Sequence, residues 1–180
     1  MATQATTKWA IDPSHSEIGF KVKHLMINTV SGKFEKFEGS VETNGDDFST
    51  ARINFTADIA SVNTNSEQRD GHLKGPDFFD GEKNPKLIFS GAKLEAVSGD
   101  KYLLTGDLTI RGIAKPVKLD VEFGGIAKDP WGNTKAGFTI TGKLNRNDWG
   151  LVFNAPLETG GVLLSEEVKL NIEVQLAKQA

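Results

Sequence analysis

The sequence predicts an all-β protein: an eight-stranded antiparallel β-barrel with one or two short helices. Three observations predict it. Apolar residues recur at every second position in five separate stretches. The links between stretches are mostly short and rich in Gly, Asn, Asp and Pro. Helical sequence is too scarce to cover a sheet of that size, so the greasy faces of the strands must bury against one another. The chain of 180 residues suits one domain over residues 1–180.

Taken in chain order, a weak strand near 8–11 precedes the turn sequence Asp12-Pro13-Ser14-His15-Ser16. Ile18, Phe20 and Val22 then alternate with Lys21 and Lys23. A weaker strand spans 34–43, and Asn44-Gly45-Asp46-Asp47 is a hairpin turn. Ile53, Phe55, Ala57 and Ile59 share the next register. Residues 64–75 read as a short helix, with Asn65 as N-cap and Gly75 as terminator. Strands near 86–94 and 102–110 flank Ser98-Gly99-Asp100. Arg111-Gly112 leads into Val117, Leu119, Val121 and Phe123, and Asp129-Pro130-Trp131-Gly132-Asn133 leads into Ala136, Phe138, Ile140 and Leu144. The connection 145–165 lacks periodicity, and a loop of that length in a compact domain is usually a lid or functional. The last strand carries Val168, Leu170, Ile172, Val174 and Leu176. The count is eight or nine strands. Hairpin links between successive strands favour a closed up-and-down barrel, which leaves no exposed edge.

A barrel of eight strands is either just filled by its own side chains or holds one slender ligand. Gly39, Gly106, Gly142, Ala57 and Ala136 fall in the inward register. They either free volume for a ligand or mark bends at barrel corners; several together favour a cavity. The same register is Ile, Leu, Val and Phe with almost no ionisable side chain, so the interior is dry and suits an aliphatic chain rather than a charge. Each buried CH₂ contributes roughly 0.8 kcal/mol. A tilted strand gives a bore on the order of 20–25 Å long.

Lys plus Arg is 21 and Asp plus Glu is 24, a net charge of −3, which argues against nucleic acid as a partner. The chain has no cysteine, so disulfides, thiolate catalysis and Cys-based metal sites are excluded. His15, His24 and His72 show no metal-ligand spacing, and no nucleophile elbow surrounds a serine. No catalytic set, metal or cofactor is expected. Arg69-Asp70-Gly71-His72-Leu73-Lys74 reads either as a receptor for an anionic head group or as a solvated helix face. Arg111, Lys115 and Arg146 stand at other strand ends and are open to either reading. Asp46-Asp47 and Glu166-Glu167 read as surface charge. Trp131, Trp149 and the run Asp148 to Phe153 are apolar loop residues that gate a cavity or plug it. The first residues show no basic start followed by an apolar run, and no stretch is long enough to span a membrane. The expectation is a soluble cytoplasmic protein without integral membrane insertion, or a mature exported chain carrying a new Met.

Four blocks carry a family resemblance. The first runs from Trp9-Ala10-Ile11-Asp12-Pro13-Ser14-His15-Ser16 to Leu25, with Val30-Ser31-Gly32-Lys33-Phe34 and Phe37-Glu38-Gly39. The second is Arg69-Asp70-Gly71-His72-Leu73-Lys74 with Asp77-Phe78-Phe79-Asp80 and Pro85-Lys86-Leu87-Ile88-Phe89. The third is Leu108-Thr109-Ile110-Arg111-Gly112 with Lys115-Pro116-Val117. The last is Gly137-Phe138, then Asn145-Arg146-Asn147-Asp148-Trp149-Gly150-Leu151 and Glu166-Glu167-Val168. In these the chain resembles the YceI-like family of polyisoprenoid-binding, lipocalin-like barrels. The resemblance implies an extended lipocalin-like barrel with a small helix, and an apolar pore for an isoprenoid or other amphiphilic lipid. Members of the family are often homodimers and often periplasmic; the absence of a leader here departs from the latter. No catalytic residues come with the resemblance.

Together these readings give a non-enzymatic carrier or sequestering protein for a long apolar lipid, polyisoprenoid or quinone-like. The tail is expected along Phe20, Val22, Phe55, Leu104, Leu108, Leu119, Val121, Phe138, Ile140, Leu170 and Ile172. The head is expected at a rim bearing His15, His24, Arg69, His72 and Arg111. The alternatives are a lipid-modifying enzyme using the rim histidines, and a filled barrel serving as a stress or interaction module without a ligand.

Overall fold

A computed structural model of the chain describes residues 6–25, 27–154 and 164–179. Eleven strands form one antiparallel sheet: β1 (Thr6–Ile11), β2 (Glu17–His24), β3 (Asn28–Phe34), β4 (Phe37–Asn44), β5 (Asp47–Asp58), β6 (Val62–Asn63), β7 (Lys86–Ser98), β8 (Lys101–Ile110), β9 (Ile113–Lys128), β10 (Thr134–Asn145) and β11 (Leu164–Lys178). Several of these are halves of one barrel strand. β1 and β2 run in the same sense either side of the 3-10 turn Pro13–His15, and β11 pairs with both. β3 and β4 are similarly consecutive, as are β5 and β6 across the 3-10 turn Ile59–Ser61. Eight positions therefore close into a ring in near-sequential order, the closure being β11 against β1 and β2. The expected closed barrel of eight strands is the fold observed.

The hairpin chemistry explains the order. At Arg111 and Gly112 both φ angles are positive, 54° and 74°, while Ile110 pairs with Ile113. That is the two-residue turn whose twist matches the flanking strands. The break between β1 and β2 is held by Asp12, whose carboxylate accepts from Ser14 N at 3.0 Å and Ser14 Oγ at 2.7 Å.

One α-helix is present among the described residues, α1 (Glu67–Lys74). Its N-cap is Ser66, whose Oγ accepts from Arg69 N at 3.3 Å; Asn65, the expected cap, sits one residue earlier with φ at 65°. Gly75 ends the helix as expected. Ile59 departs from the strand register expected of it and lies buried in the 3-10 turn. The long connection after β10 begins with the 3-10 turn Arg146–Trp149; residues 155–163 of it lie outside the described residues. Among the described residues no helix is long and apolar enough to cross a membrane.

The inward glycines serve the packing. A β-carbon at Gly142 would fall on Leu119 Cδ2, and one at Gly106 would come within 2.8 Å of the Phe89 ring and 3.0 Å of Ala92 Cα. The volume these two glycines free is already taken by neighbours, so neither lines the barrel's cavity; Gly39 does. Ala57 and Ala136 are fully buried in the core.

Candidate functional site

The inward faces leave a bore of about 390 Å³ inside the barrel. Its walls are apolar because β2, β5, β8, β9, β10 and β11 each turn one register of aliphatic or phenyl side chains inward. All eleven residues expected to meet an apolar tail lie on this wall. The bore is not filled by its own side chains.

One end is stoppered. Phe48 and Phe138 line the bore, with ring centroids 4.9 Å apart in an edge contact. Trp9 lies 5.1 Å and Phe123 5.3 Å from Phe48, and neither reaches the lining. Edge and offset contacts of this kind are the favoured aromatic geometries. Trp9 is locked by its indole N–H, which donates to Thr43 Oγ1 at 3.0 Å. The Thr43 hydroxyl donates in turn to the Gly45 carbonyl at 2.6 Å. Two polar groups are thus satisfied in a layer where an unpaired one is costly.

The other end is polar. α1 brings Arg69 and His72 to the lining, and β2 ends there at His24. Arg69 and His72 are exposed as well as lining, so the bore meets solvent beside them. Arg69 is folded back on Thr64: Nε donates to Oγ1 at 2.8 Å and Nη2 to the carbonyl at 2.7 Å. Asp70 accepts from Thr64 N at 2.8 Å and Oγ1 at 2.6 Å. His72 Nε2 lies 2.9 Å from Asp77 Oδ2, and its ring stands edge-on to Phe78 and Phe153.

Two of the expected head residues lie elsewhere. His15 sits on the turn between β1 and β2, its side chain 65% exposed and its Nδ1 3.0 Å from Asp12 Oδ2. The interruption of the first barrel strand places it on the outer flank, away from the lining. Arg111 is in the β8–β9 turn, and its Nη1 donates to the Gly150 carbonyl at 2.9 Å. It braces the loop after β10 and does not line the bore.

Arg146, whose role the sequence alone leaves ambiguous, belongs to the site. It continues the even register of Ile140, Gly142 and Leu144 by one more step, so extending that register past Leu144 was the available signal. It is 5% exposed and lines the bore. Nε donates to the Ser165 carbonyl at 2.9 Å; Nη1 donates to the carbonyls of Phe153, at 2.9 Å, and Leu151. Nη2 is buried and has no hydrogen-bond partner among the described residues. Burial pushes the guanidinium below its ordinary pKa, opposed by the Glu166 carboxylate; an arginine nonetheless keeps its proton. Almost no ionisable side chain was expected in the inward register; Arg146 is one that reaches the lining, at the polar end of the bore.

The surrounding segment is built to hold this arginine. Asn145 caps the 3-10 turn by accepting from Asn147 N at 3.0 Å, and Gly150 ends it with φ at 76°. Trp149, 2% exposed, also lines the bore. Trp131, the other loop tryptophan, is 82% exposed in the β9–β10 turn at the stoppered end and takes no part. Asn154 exchanges two bonds with Leu164, donating from Nδ2 to its carbonyl at 2.8 Å and accepting from its N at 2.9 Å. That ties the segment to the start of β11.

A closed antiparallel barrel with a blind apolar bore is, as a class, a lipocalin-like barrel. Its sequence places it further: a family model described as YceI-like domain matches residues 9–176, and the chain belongs to that family. It is similar to the UPF0312 protein SA2479 of Staphylococcus aureus strain N315, at 40% identity over 95% of this chain and 98% of the relative. The crystal structure of a Campylobacter jejuni YCEI protein is similar at 35% identity, with TM-score 0.76 over 94% of this chain and 96% of that one. A polyisoprenoid binding domain from Saccharophagus degradans shares the fold at 12% identity, with TM-score 0.71 over 95% of this chain and 98% of that one.

Proposed function

We propose that the protein binds a long apolar or amphiphilic lipid, polyisoprenoid or quinone-like, inside the barrel, and carries or sequesters it without chemical change. The observation that carries this reading is the bore: about 390 Å³, walled by aliphatic and phenyl groups, stoppered by aromatic rings at one end and polar at the other. Apolar contact is worth about 25 cal/mol per Å² removed from water, so a methylene chain gains all along such a wall. The tail lies toward Phe48 and Phe138, and the head at the end bearing His24, Arg69 and His72. The polyisoprenoid-binding domain that shares this fold supports the same ligand class. The protein acts as a homodimer in this reading, as many members of the family do.

The test is organic extraction of the purified protein followed by mass spectrometry, with binding of added geranylgeraniol measured on the stripped protein. Stoichiometric lipid, or saturable binding of the alcohol, is expected. Val168 lines the bore between its partners Val22 and Leu144, so Val168→Trp fills the space and should cut uptake while the barrel stays folded. A chain that carries no lipid and binds none when it is offered overturns the proposal.

A further inference from the structure

Arg146 poses a problem of physical chemistry. The protein has taken a guanidinium out of water, and a buried charge is tolerated only when it is paired or fully hydrogen-bonded. Here it is neither. Nε and Nη1 are occupied by the carbonyls of Ser165, Leu151 and Phe153. Those carbonyls carry no net charge, and no carboxylate among the described residues lies within ion-pair distance of the group. Nη2, with its two N–H donors, is left without a partner among the described residues. Buried polar groups in folded proteins are nearly always satisfied, and one that is not calls for a missing partner. Because Arg146 lines the bore, that partner can come from the bore's occupant.

We propose that Arg146 Nη2 anchors an anionic oxygen head group, carboxylate or phosphate, of the lipid held in the barrel. This rests on reading the bore as a lipid site, and it deepens that reading by assigning the head its charge and its contact. The Glu166 carboxylate acts on the guanidinium only from beyond ion-pair distance; an anion in the bore supplies the missing acceptor and a countercharge in direct contact, and charge-assisted bonds of guanidinium to carboxylate or phosphate are the strong ones. A neutral hydroxyl supplies an acceptor alone. Arg69 is less suited to this role, because it is exposed and Thr64 already engages its Nε and Nη2. The placement also fits the lipid's geometry. The rings of Phe48 and Phe138 stop the tail, while Arg146 sits where β10 ends, at the opposite end of the bore.

Three ligands sharing one tail separate the contributions: geranylgeraniol, geranylgeranoic acid and geranylgeranyl phosphate, titrated into stripped protein. Wild type should bind the acid and the phosphate roughly tenfold or more tightly than the alcohol. Whichever anion binds tighter distinguishes a carboxylated from a phosphorylated lipid. Arg146→Met should bring all three within about threefold of one another while the alcohol still binds. Because Arg146 also secures three carbonyls, a readout on the wild type keeps the test independent of how the variant folds. In the protein labelled with ¹⁵N-arginine, the acid should shift the Nη resonances of one buried arginine, and the alcohol should leave them in place. Equal affinity for all three ligands in wild type overturns the anchor and leaves the lipid site standing. So does a preference that survives Arg146→Met and disappears with Arg69→Gln. Failure of every ligand to bind overturns both.

Discussion

The indole N–H of Trp149 donates to the backbone carbonyl of Leu108 at 2.8 Å, so the turn that carries Arg146 is bonded to the wall of β8. Both residues line the bore, and both are buried. Trp149→Phe keeps an aromatic ring there and removes the donor, leaving a buried carbonyl one bond short. The expected cost is about 1–3 kcal/mol in urea denaturation. Dissociation of a bound polyprenyl ligand, followed by stopped-flow displacement, should also be faster in this variant than in wild type.

Gly106 faces the Phe89 ring at a distance that leaves no room for a methyl group. Gly106→Ala should destabilise the barrel by about 1–3 kcal/mol, the usual cost of overpacking. Adding Phe89→Leu should recover part of that loss, because the two side chains compete for one space. A double-mutant cycle measures the coupling, and strict additivity would contradict it.

Asp12 accepts from Ser14 and lies 3.0 Å from both His15 Nδ1 and Lys135 Nζ. The Ser14 hydroxyl bond, with His15 and Lys135 behind it, holds the carboxyl well below the usual carboxylate range. A carboxyl whose native pKa is depressed stabilises the fold fully above its unfolded pKa, about 3.9, and that contribution is lost as pH falls from there toward the native value. Asp12→Asn should therefore lower the urea midpoint at neutral pH. The gap between variant and wild type should narrow steadily once the pH drops below about 4. A gap that stays constant with pH would rule out the carboxylate as its source.

Phe48 touches Trp9, Phe123 and Phe138 and is 2% exposed. Phe48→Ala should cost about 3–5 kcal/mol. It should also deepen the bore, so the stripped variant should accept longer polyprenyl alcohols than wild type in a series of increasing chain length.

Period-two patterning revealed most of the barrel because a strand with one wet face must alternate. β11 alternates over most of its length, from Val168 to Leu176. The same patterning could not show that β11 pairs with both β1 and β2, since that depends on the turn at Asp12 restoring the strand's direction after an interruption. The wall of the bore was legible for the same reason the strands were. The polar end was not: His15 is adjacent in sequence to a strand that lines the bore, yet the turn carries it to the flank. Arg111 lies in a hairpin, where its side chain meets a loop from far along the chain. Arg146 continues the register of Leu144, but its burial was not legible, because its carbonyl partners are backbone groups with no sequence signature.

The four packed rings at one end of the barrel make it a cup rather than a pipe. Whatever occupies such a cup goes in foot first and must back out along the same path, so a tail's length decides how high its head stands against the brim. With Arg146 as the proposed anchor, length and head chemistry are gauged together: only a molecule that reaches the floor and meets that arginine satisfies both.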